Sequence, residues 1–545
     1  MQQALTAYQG GYWEEAGRIC RAVLEKHQKN GDALHLLGLM AAQSGQLDEA
    51  AELILRALRG NSGNAQLHGL LGNIHSELGR HEQAVQCYDK AIALDPKYAL
   101  AYANRGSALA KISEYDAAVT SLQRAIALKP DYADAHYNLG NTLAGLGHHE
   151  AAVASYDNAI ALNPDFAGTY NNRGVSRADL NQFMEALEDY ERAIHLAPEF
   201  VDAYNNHGVA LANLGRYADA MASYEQAISL APEDADARWN LAATKLLLGD
   251  FSSGLIDYGW LWKRSLYDKT QQNFREPLWS GAQDLRGKTI LLYSDRGFGD
   301  TLQFCRYVKD VAALGATVLL EVQPSLLGLL ASLEGVTRIL PLGAQRPAFD
   351  YHCPIFRLPL AFKTDLTTIP ARIPYISSST DKIALWKTML GAKTRPRVGV
   401  AWSGKPLPDP RRSMRLLEMV PLLRKGVEFF SLQNEVRDTD GAVLSSHLEI
   451  RHLGDQIREF ADTAALVDLM DLVITIDTSV AHLAGAMGKP VWILLPFNPD
   501  WRWLLERNDS PWYPTARLFR QPVIGDWASV VAAVRAELEQ YLQQN

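Results

Sequence analysis

A 34-residue period constrains this chain more than anything else in its sequence. Gly38, Gly72, Gly106, Gly140, Gly174 and Gly208 recur at that step, as do Ala50, Ala84, Ala118, Ala152, Ala186 and Ala220. Pro96, Pro130, Pro164, Pro198 and Pro232 keep the same spacing. Each unit holds two helical patterns, as in ADAHYNLGNTLAGLG followed by HHEAAVASYDNAIALNP. Such a period means one supersecondary unit repeated, each burying its apolar face only against its neighbours. Gly and Ala fall where paired helices must cross closely, and Pro stops the second helix. Tyr88, Tyr156, Tyr190 and Tyr224 fill the groove between neighbours. Six units from 31 to 234 hold one register without an indel. Residues 1–30 match the back of an earlier unit through Ala16, Cys20 and Val23, and residues 235–268 form a degraded last unit with Ala242 and Gly254 at the Gly and later Ala positions.

These units resemble the tetratricopeptide repeat, which implies an all-α right-handed superhelix with a long concave groove. One position on the first helix of successive units is Asn104, Asn138, Asn172, Asn206 and Asn240, while Leu36 and Leu70 stand there in the earlier units. A carboxamide offers both donor and acceptor, so a ladder of five could hold an extended polypeptide with little regard to its side chains. Asn is also simply common at this position in such repeats, and residue type alone does not separate the two readings.

After Tyr258 the period is lost, and a Trp-rich stretch leads to a different pattern. From Lys288 short β-branched runs alternate with helical ones, the signature of parallel α/β layers. KTILLYS, ATVLLEV and VTRIL read as strands of a first layer; VGVAW, EFFSL, DLVITI and PVWILL read as strands of a second. The stretch from Phe349 to Thr394, with Pro354, Pro359, Pro370 and Pro374, reads as a hinge region. The expected organisation is a repeat array over 1–268, a linker over 269–287, and two Rossmann-like layers over 288–385 and 386–545, facing each other across a cleft. Ligands of such sheets sit at the C-terminal ends of the strands.

Two motifs follow predicted strands. In DRGFGDTLQFCRY, Gly297 and Gly299 allow a tight turn and Asp300 sits at the mouth of the first layer, where a carboxylate can take a proton from an attacking hydroxyl. An N-cap is the plainer role for an aspartate at a helix start. In ITIDTSVAHLAGAMGKP, Asp477, Thr478 and Ser479 lie where backbone amides and the helix dipole gather to meet an anion, and a diphosphate suits them. His482, one turn into the helix, could reach a phosphate or sugar oxygen, or be held within the helix packing. No Gly-x-x-x-x-Gly-Lys is present here, so nucleoside triphosphate hydrolysis is not indicated.

Composition narrows the partners. The chain has 545 residues with 53 Lys+Arg against 62 Asp+Glu, an acidic balance that argues against binding a nucleic-acid polymer. No apolar run approaches the ~18 residues of a membrane span, and the N-terminus lacks a signal-peptide pattern. Cys20, Cys87, Cys305 and Cys353 show no metal-like or redox-like spacing, so a reduced, cytoplasmic protein is expected. Asp438-Thr439-Asp440 has the spacing of a metal-clamping pair but reads as a solvated loop.

The second half is similar to the bacterial heptosyltransferase-like glycosyltransferases, in the branch that carries N-terminal tetratricopeptide repeats. The resemblance rests on GFGDTLQFCRY, VGVAWSG, Arg411-Arg412-Ser413, FFSLQ, EFADTAALV, DTSVAHLAGAMGKPVW and PDWRWLLERNDSPWYP. It implies a GT-B fold, a nucleotide-sugar donor and no metal or other cofactor. It also implies Asp300 as general base and donor contacts from Gly299, Ser403, Arg412, Gln433, Asp462, Thr463, Asp477, Thr478, Ser479 and His482. The proline-rich segment 405–411 departs from the pattern expected of that loop. The overall plan looks like the O-GlcNAc transferases, whose Asn ladder grips the acceptor, and like flagellin glycosyltransferases. The expected function is therefore sugar transfer to a Ser or Thr hydroxyl of a protein held by the repeats, flagellin being one reasonable acceptor, metal-independent and with inversion. Two alternatives stand beside it: a repeat scaffold with an inert or sensing transferase half, and a glycolipid or polysaccharide transferase.

Overall fold

Every repeat turns between its two helices through a residue in the left-handed region. Gly11, Gly45, Gly79, Ser113, Gly147, Asn181, Gly215 and Gly249 have φ between +61° and +88°. This is a second 34-residue series, set by turn geometry, and glycine dominates it because a Cβ is penalised there. The computed structural model that shows it describes residues 1–264, 274–404 and 410–544. Part of the expected 269–287 linker, and residues 405–409 of the proline-rich segment, lie outside the described residues.

Sixteen helices build the tetratricopeptide repeats, alternating 13 and 14 residues from Gly31–Gln43 to Tyr217–Leu230. The crossing glycines are required by contact: a Cβ on Gly72 or Gly140 would lie 2.5 Å from the ring of Tyr88 or Tyr156. The same tyrosines donate their hydroxyls to Asn73 and Asn141, each at 2.8 Å. The first unit is more complete than the sequence suggested, since Gln2–Gln9 supplies a short front helix before Trp13–Lys26.

The chain divides into two compact units, 1–210 and 211–545. The first is repeats alone. In the second, the last repeat shares one core with the α/β layers: Leu246, Phe251, Leu255 and Tyr258 cluster with Ile290, Leu292, Leu302, Trp501 and Trp512. Its second helix, Phe251–Tyr258, has eight residues against fourteen in Tyr217–Leu230. A repeat that packs against α/β layers instead of another repeat is released from the period, which explains the degraded sequence.

The first sheet comprises β1 (Thr289–Tyr293), β2 (Thr317–Val322), β3 (Arg338–Pro341) and β4 (Tyr351–Pro354), in the order β3-β2-β1-β4. The second comprises β5 (Arg397–Ala401), β6 (Glu428–Ser431), β7 (Ile450–His452), β8 (Leu472–Ile476), β9 (Val491–Leu495) and β10 (Ala516–Arg520), in the order β10-β9-β8-β5-β6-β7. All ladders between these strands are parallel. The second order is the doubly wound one, with its reversal between β5 and β8; the first sheet reverses between β1 and β4. The seven strands expected from sequence are present, and the three not foreseen, β4, β7 and β10, are all edge strands. The helix Thr380–Leu390 spans the expected 385/386 boundary. Its Trp386 and Lys382 bond Asp462 of the second layer, so the whole helix belongs there.

Ser113 carries a Cβ at a position that seven of the eight repeats give to Gly or Asn. Since a left-handed L-residue costs roughly 1–2 kcal/mol, Ser113→Gly should stabilise its repeat by about 1 kcal/mol, and Gly147→Ser should destabilise by a similar amount. Hydrogen exchange in the helices Ala99–Lys111 and Tyr115–Leu128, and in Ala133–Gly145 and His149–Leu162, checks both signs.

Candidate functional site at the junction of the two sheets

The loop after β1 is pinned at both ends. Ser294 Oγ lies 2.5 Å from Thr301 Oγ1, which donates to Gln323 Oε1 at 3.0 Å, while Gln323 Nε2 donates to the Arg296 carbonyl at 2.6 Å. The helix that follows, Phe298–Phe304, has Gly297 at its N-cap, with no side-chain cap bond. Asp300 is therefore not a cap. Its carboxylate pairs instead with the guanidinium of Arg502 in the second layer.

The turn after β8 mirrors this one. Thr478 is the N-cap of the helix Ser479–Ala486, and Asp477 precedes it. This helix packs directly on Phe298–Phe304, where a Cβ on Gly299 would approach His482 Cδ2 to 2.8 Å. Gly299 is thus demanded by the close approach of the two sheets' helices. His482 is buried, stacked on Trp503 at 5.4 Å between ring centres, with Nδ1 2.9 Å from the Tyr513 hydroxyl. Burial first, then Arg502, Arg306 and Arg412, push its pKa well below the ordinary value, so the ring is neutral. With Tyr513 donating to Nδ1, the Nε2–H faces Asp477 Oδ1 at 3.9 Å. His482 packs in the wall of the junction between Trp503 and Tyr513.

Arg502 is the residue that the sequence reading left without a role. It is buried; Nε donates to Gln303 Oε1 at 2.5 Å, Nη1 to both Asp500 oxygens at 2.8 and 2.9 Å, and Nη2 to Asp300. Asp500 also faces Asp477, whose carboxyl is raised by burial and by that neighbouring charge, against the pull of Arg412 and Arg502. Nothing in the local pattern PDWRW announces a bridge to a residue 202 positions earlier.

Around the β5 end, Gln433 Oε1 accepts from the backbone N–H groups of Trp402 and Ser403 at 2.7 and 3.0 Å, and its Nε2 donates to Ser403 Oγ at 2.8 Å. Gln433 therefore shapes the loop that presents Ser403. Gly404 brings that loop against Thr478 and Arg412, so Ser403, Arg412, Asp477, Thr478 and Ser479 gather at the β5/β8 reversal. Asp462 stands apart: Lys382, Trp386 and the backbone N–H groups of Arg458 and Glu459 bond its two oxygens. Burial alone would raise its pKa, yet these bonds lower it. Thr463 follows it in the same helix, Phe460–Asp468, buried. The solvated-loop expectation for Asp438–Asp440 is corrected at Asp440, which is buried and accepts from Trp402 Nε1, the Leu416 N–H and Arg437.

The asparagine series divides in the structure. Asn172 gives both N–H bonds to Tyr137 and Asn141 and accepts from Asn171, so its carboxamide serves contacts within the repeats. Asn104 and Asn206 each donate once, to Asn73 and Asn171. Asn138 is partly exposed, and Asn240 lies on the helix Ala235–Leu247 of the second unit.

Fold and site together describe a tetratricopeptide-repeat array followed by two parallel α/β layers. Tetratricopeptide-repeat models match residues 1–65, 133–166, 171–235 and 206–258, and a TPR-repeat model matches 72–113 and 108–147. The chain is 28% identical over 290 residues to Protein FlbA of Caulobacter vibrioides, covering 48% of each protein; it thus spans about half the length of this curated relative. Among solved structures, MamA is 30% identical, covering 30% of this chain and 95% of that one with a TM-score of 0.29. YrrB, described as a TPR protein with an unusual peptide-binding site, is 26% identical, covering 34% of this chain and 96% of that one with a TM-score of 0.31.

A second acid, Asp295, lies five residues before Asp300. Both its carboxylate oxygens are buried without a partner on another residue. Burial, aided by Asp300 and opposed by Arg296, pushes it up to about 8. In the unfolded chain it ionises near ~3.9, so between these values the folded state binds more protons and stability falls as pH rises. Asp295→Asn should therefore stabilise the second unit at pH 8.5 and have little effect near pH 4.5, as read by thermal melting at both.

Proposed function

We propose that this protein is a glycosyltransferase that moves a sugar from a nucleotide-sugar donor to a Ser or Thr hydroxyl of a polypeptide acceptor. One observation carries the reading: the candidate base and the candidate anion turn, each at the reversal point of its own parallel sheet, meet where Gly299 admits His482. Ligands of doubly wound sheets bind at such points, and two facing each other suit a donor on one side and an acceptor on the other.

In this account the donor diphosphate lies over the N-terminus of Ser479–Ala486, met by backbone N–H groups, Thr478, Ser479, Ser403 and Arg412. Gln433 holds the Ser403 loop in place. Asp300 takes the proton of the acceptor hydroxyl as its oxygen bonds to the anomeric carbon, and the nucleotide (a nucleoside diphosphate, or CMP from a CMP-linked donor) leaves from the opposite face with inversion. Phosphate charge is met by amides and Arg412, so the mechanism calls for no metal. In the Asp438–Asp440 pair, Asp440 is committed to Trp402, Leu416 and Arg437.

The repeats present the acceptor, flagellin being one such protein. The five asparagines of the ladder are its proposed grip; Asn172 already gives both N–H bonds within the repeats, so Asn104, Asn138, Asn206 and Asn240 are the ones tested.

With UDP-N-acetylglucosamine, ADP-heptose and a CMP-linked nonulosonic acid as donors, Asp300→Asn should lower transfer to flagellin by ~10²–10⁴-fold. Calorimetric binding of the matching nucleotide should be unchanged; retention of near-full transfer would remove Asp300 as base. Replacing Asn104, Asn138, Asn206 and Asn240 together by Ala should raise KM for the polypeptide and leave donor hydrolysis intact. Unchanged KM would move the acceptor to a glycolipid or polysaccharide.

A further inference from the structure

Four carboxyl groups converge on the junction: Asp295 and Asp300 from the loop and helix after β1, Asp477 from the turn after β8, and Asp500 from the segment after β9. Burial raises two of them, Asp295 and Asp477. Asp300, the proposed proton acceptor, pairs with a guanidinium among them, that of Arg502.

We infer that Arg502 is a positioning residue for Asp300, which fixes one carboxylate oxygen and leaves the other to the acceptor hydroxyl. The geometry separates the two oxygens. Oδ1 takes the Arg502 bond, while Oδ2 faces Gly297, whose missing Cβ would stand 3.7 Å away. Oδ2 is thus the oxygen left to receive a proton.

Arg502 is itself oriented from three sides. Asp500 takes both Nη1 bonds, Gln303 takes Nε, and Asp300 takes one of the two Nη2 hydrogens. Of the five N–H donors of a guanidinium, the one remaining is on the same nitrogen that holds Asp300. An acceptor or sugar oxygen bonded there would lie beside Oδ2, so one side chain fixes both the base and the group next to it. Lysine cannot reproduce this planar fork.

The inference rests on the reading of Asp300 as base and extends it to residues that the sequence left unassigned. Asp300 interacts with Asp295 on its own loop and with Arg502 after β9; Asp500 shares Arg502, and Asp477, neutral His482 and Arg412 surround that pair. Removing Arg502 takes away the nearest cation, so the base should protonate at higher pH. Removing Asp500 takes away the anion that shares Arg502, so the base should protonate at lower pH. A structural role would give losses in both variants without opposite shifts.

The test is the pH profile of kcat/KM, which reports groups of the free enzyme. It uses the full-length protein with the same three donors and flagellin, following release of nucleotide. In Arg502→Gln the acid limb should rise by about 1–3 pH units, in Asp500→Asn it should fall, and in Arg502→Lys it should stay near the wild-type position with a reduced rate. If Arg502→Gln does not fold, the fall in Asp500→Asn decides alone. Wild-type turnover with an unmoved limb in Asp500→Asn, or one moved upward, overturns the inference and leaves the transferase reading intact. A wild-type protein that turns over none of the donors overturns the transferase reading, and the inference with it.

Discussion

Two buried guanidinium groups cross between the sheets in opposite directions, and the rest of the second unit is arranged to satisfy them. Arg502 leaves the segment after β9 to meet Asp300 and Gln303 of the first layer. Arg306, in the first layer, reaches the Trp512 carbonyl at 2.8 Å and the Tyr375 hydroxyl at 2.9 Å. Desolvating such a charge costs several kcal/mol, and removing one partner of a buried pair costs about 3–5 kcal/mol more. These residues persist because nearly every donor is used. The site is consequently stiff: a candidate base held by a bridge this expensive to break has little freedom to wander.

The last repeat takes part in the same junction. Tyr258 receives a bond from Arg296 Nη1 and another from Trp501 Nε1, both at 3.2 Å. Arg296 belongs to the loop of Asp295 and Asp300, and Trp501 adjoins Arg502. Phe251 meets Trp501 edge-on at 5.7 Å. The final helix pair therefore closes the repeat array on one side and braces the candidate site on the other, within one continuous core.

The repeats were legible because their constraint is local and recurs: a glycine must admit a large side chain one helix away, Ile54, Tyr88, Leu122, Tyr156 and Tyr190 in successive repeats. Central strands were legible for a related reason. β5, β8 and β9 are buried at every position and, apart from Arg397 and Thr475, read as apolar runs. Edge strands are covered less, so YHCP, IRH and ARLFR carry polar residues that a hydrophobic pattern misses. At the site, both turns were legible from glycines and hydroxyls beside strand ends. Arg502 was not, because a guanidinium's role depends on what a distant segment places opposite it. The asparagines show the limit from the other side: one residue type in one register, half-buried throughout, makes three bonds within the repeats at Asn172 and donates once at Asn104 and Asn206.

The central claim is that this junction transfers sugar to protein. The most direct measurement is intact-mass analysis of cellular proteins from strains with and without the gene. The account predicts that at least one protein loses the mass of one or more glycosyl residues when the gene is removed, and regains it with the wild-type chain but not with Asp300→Asn. Identical masses across the two strains would contradict it.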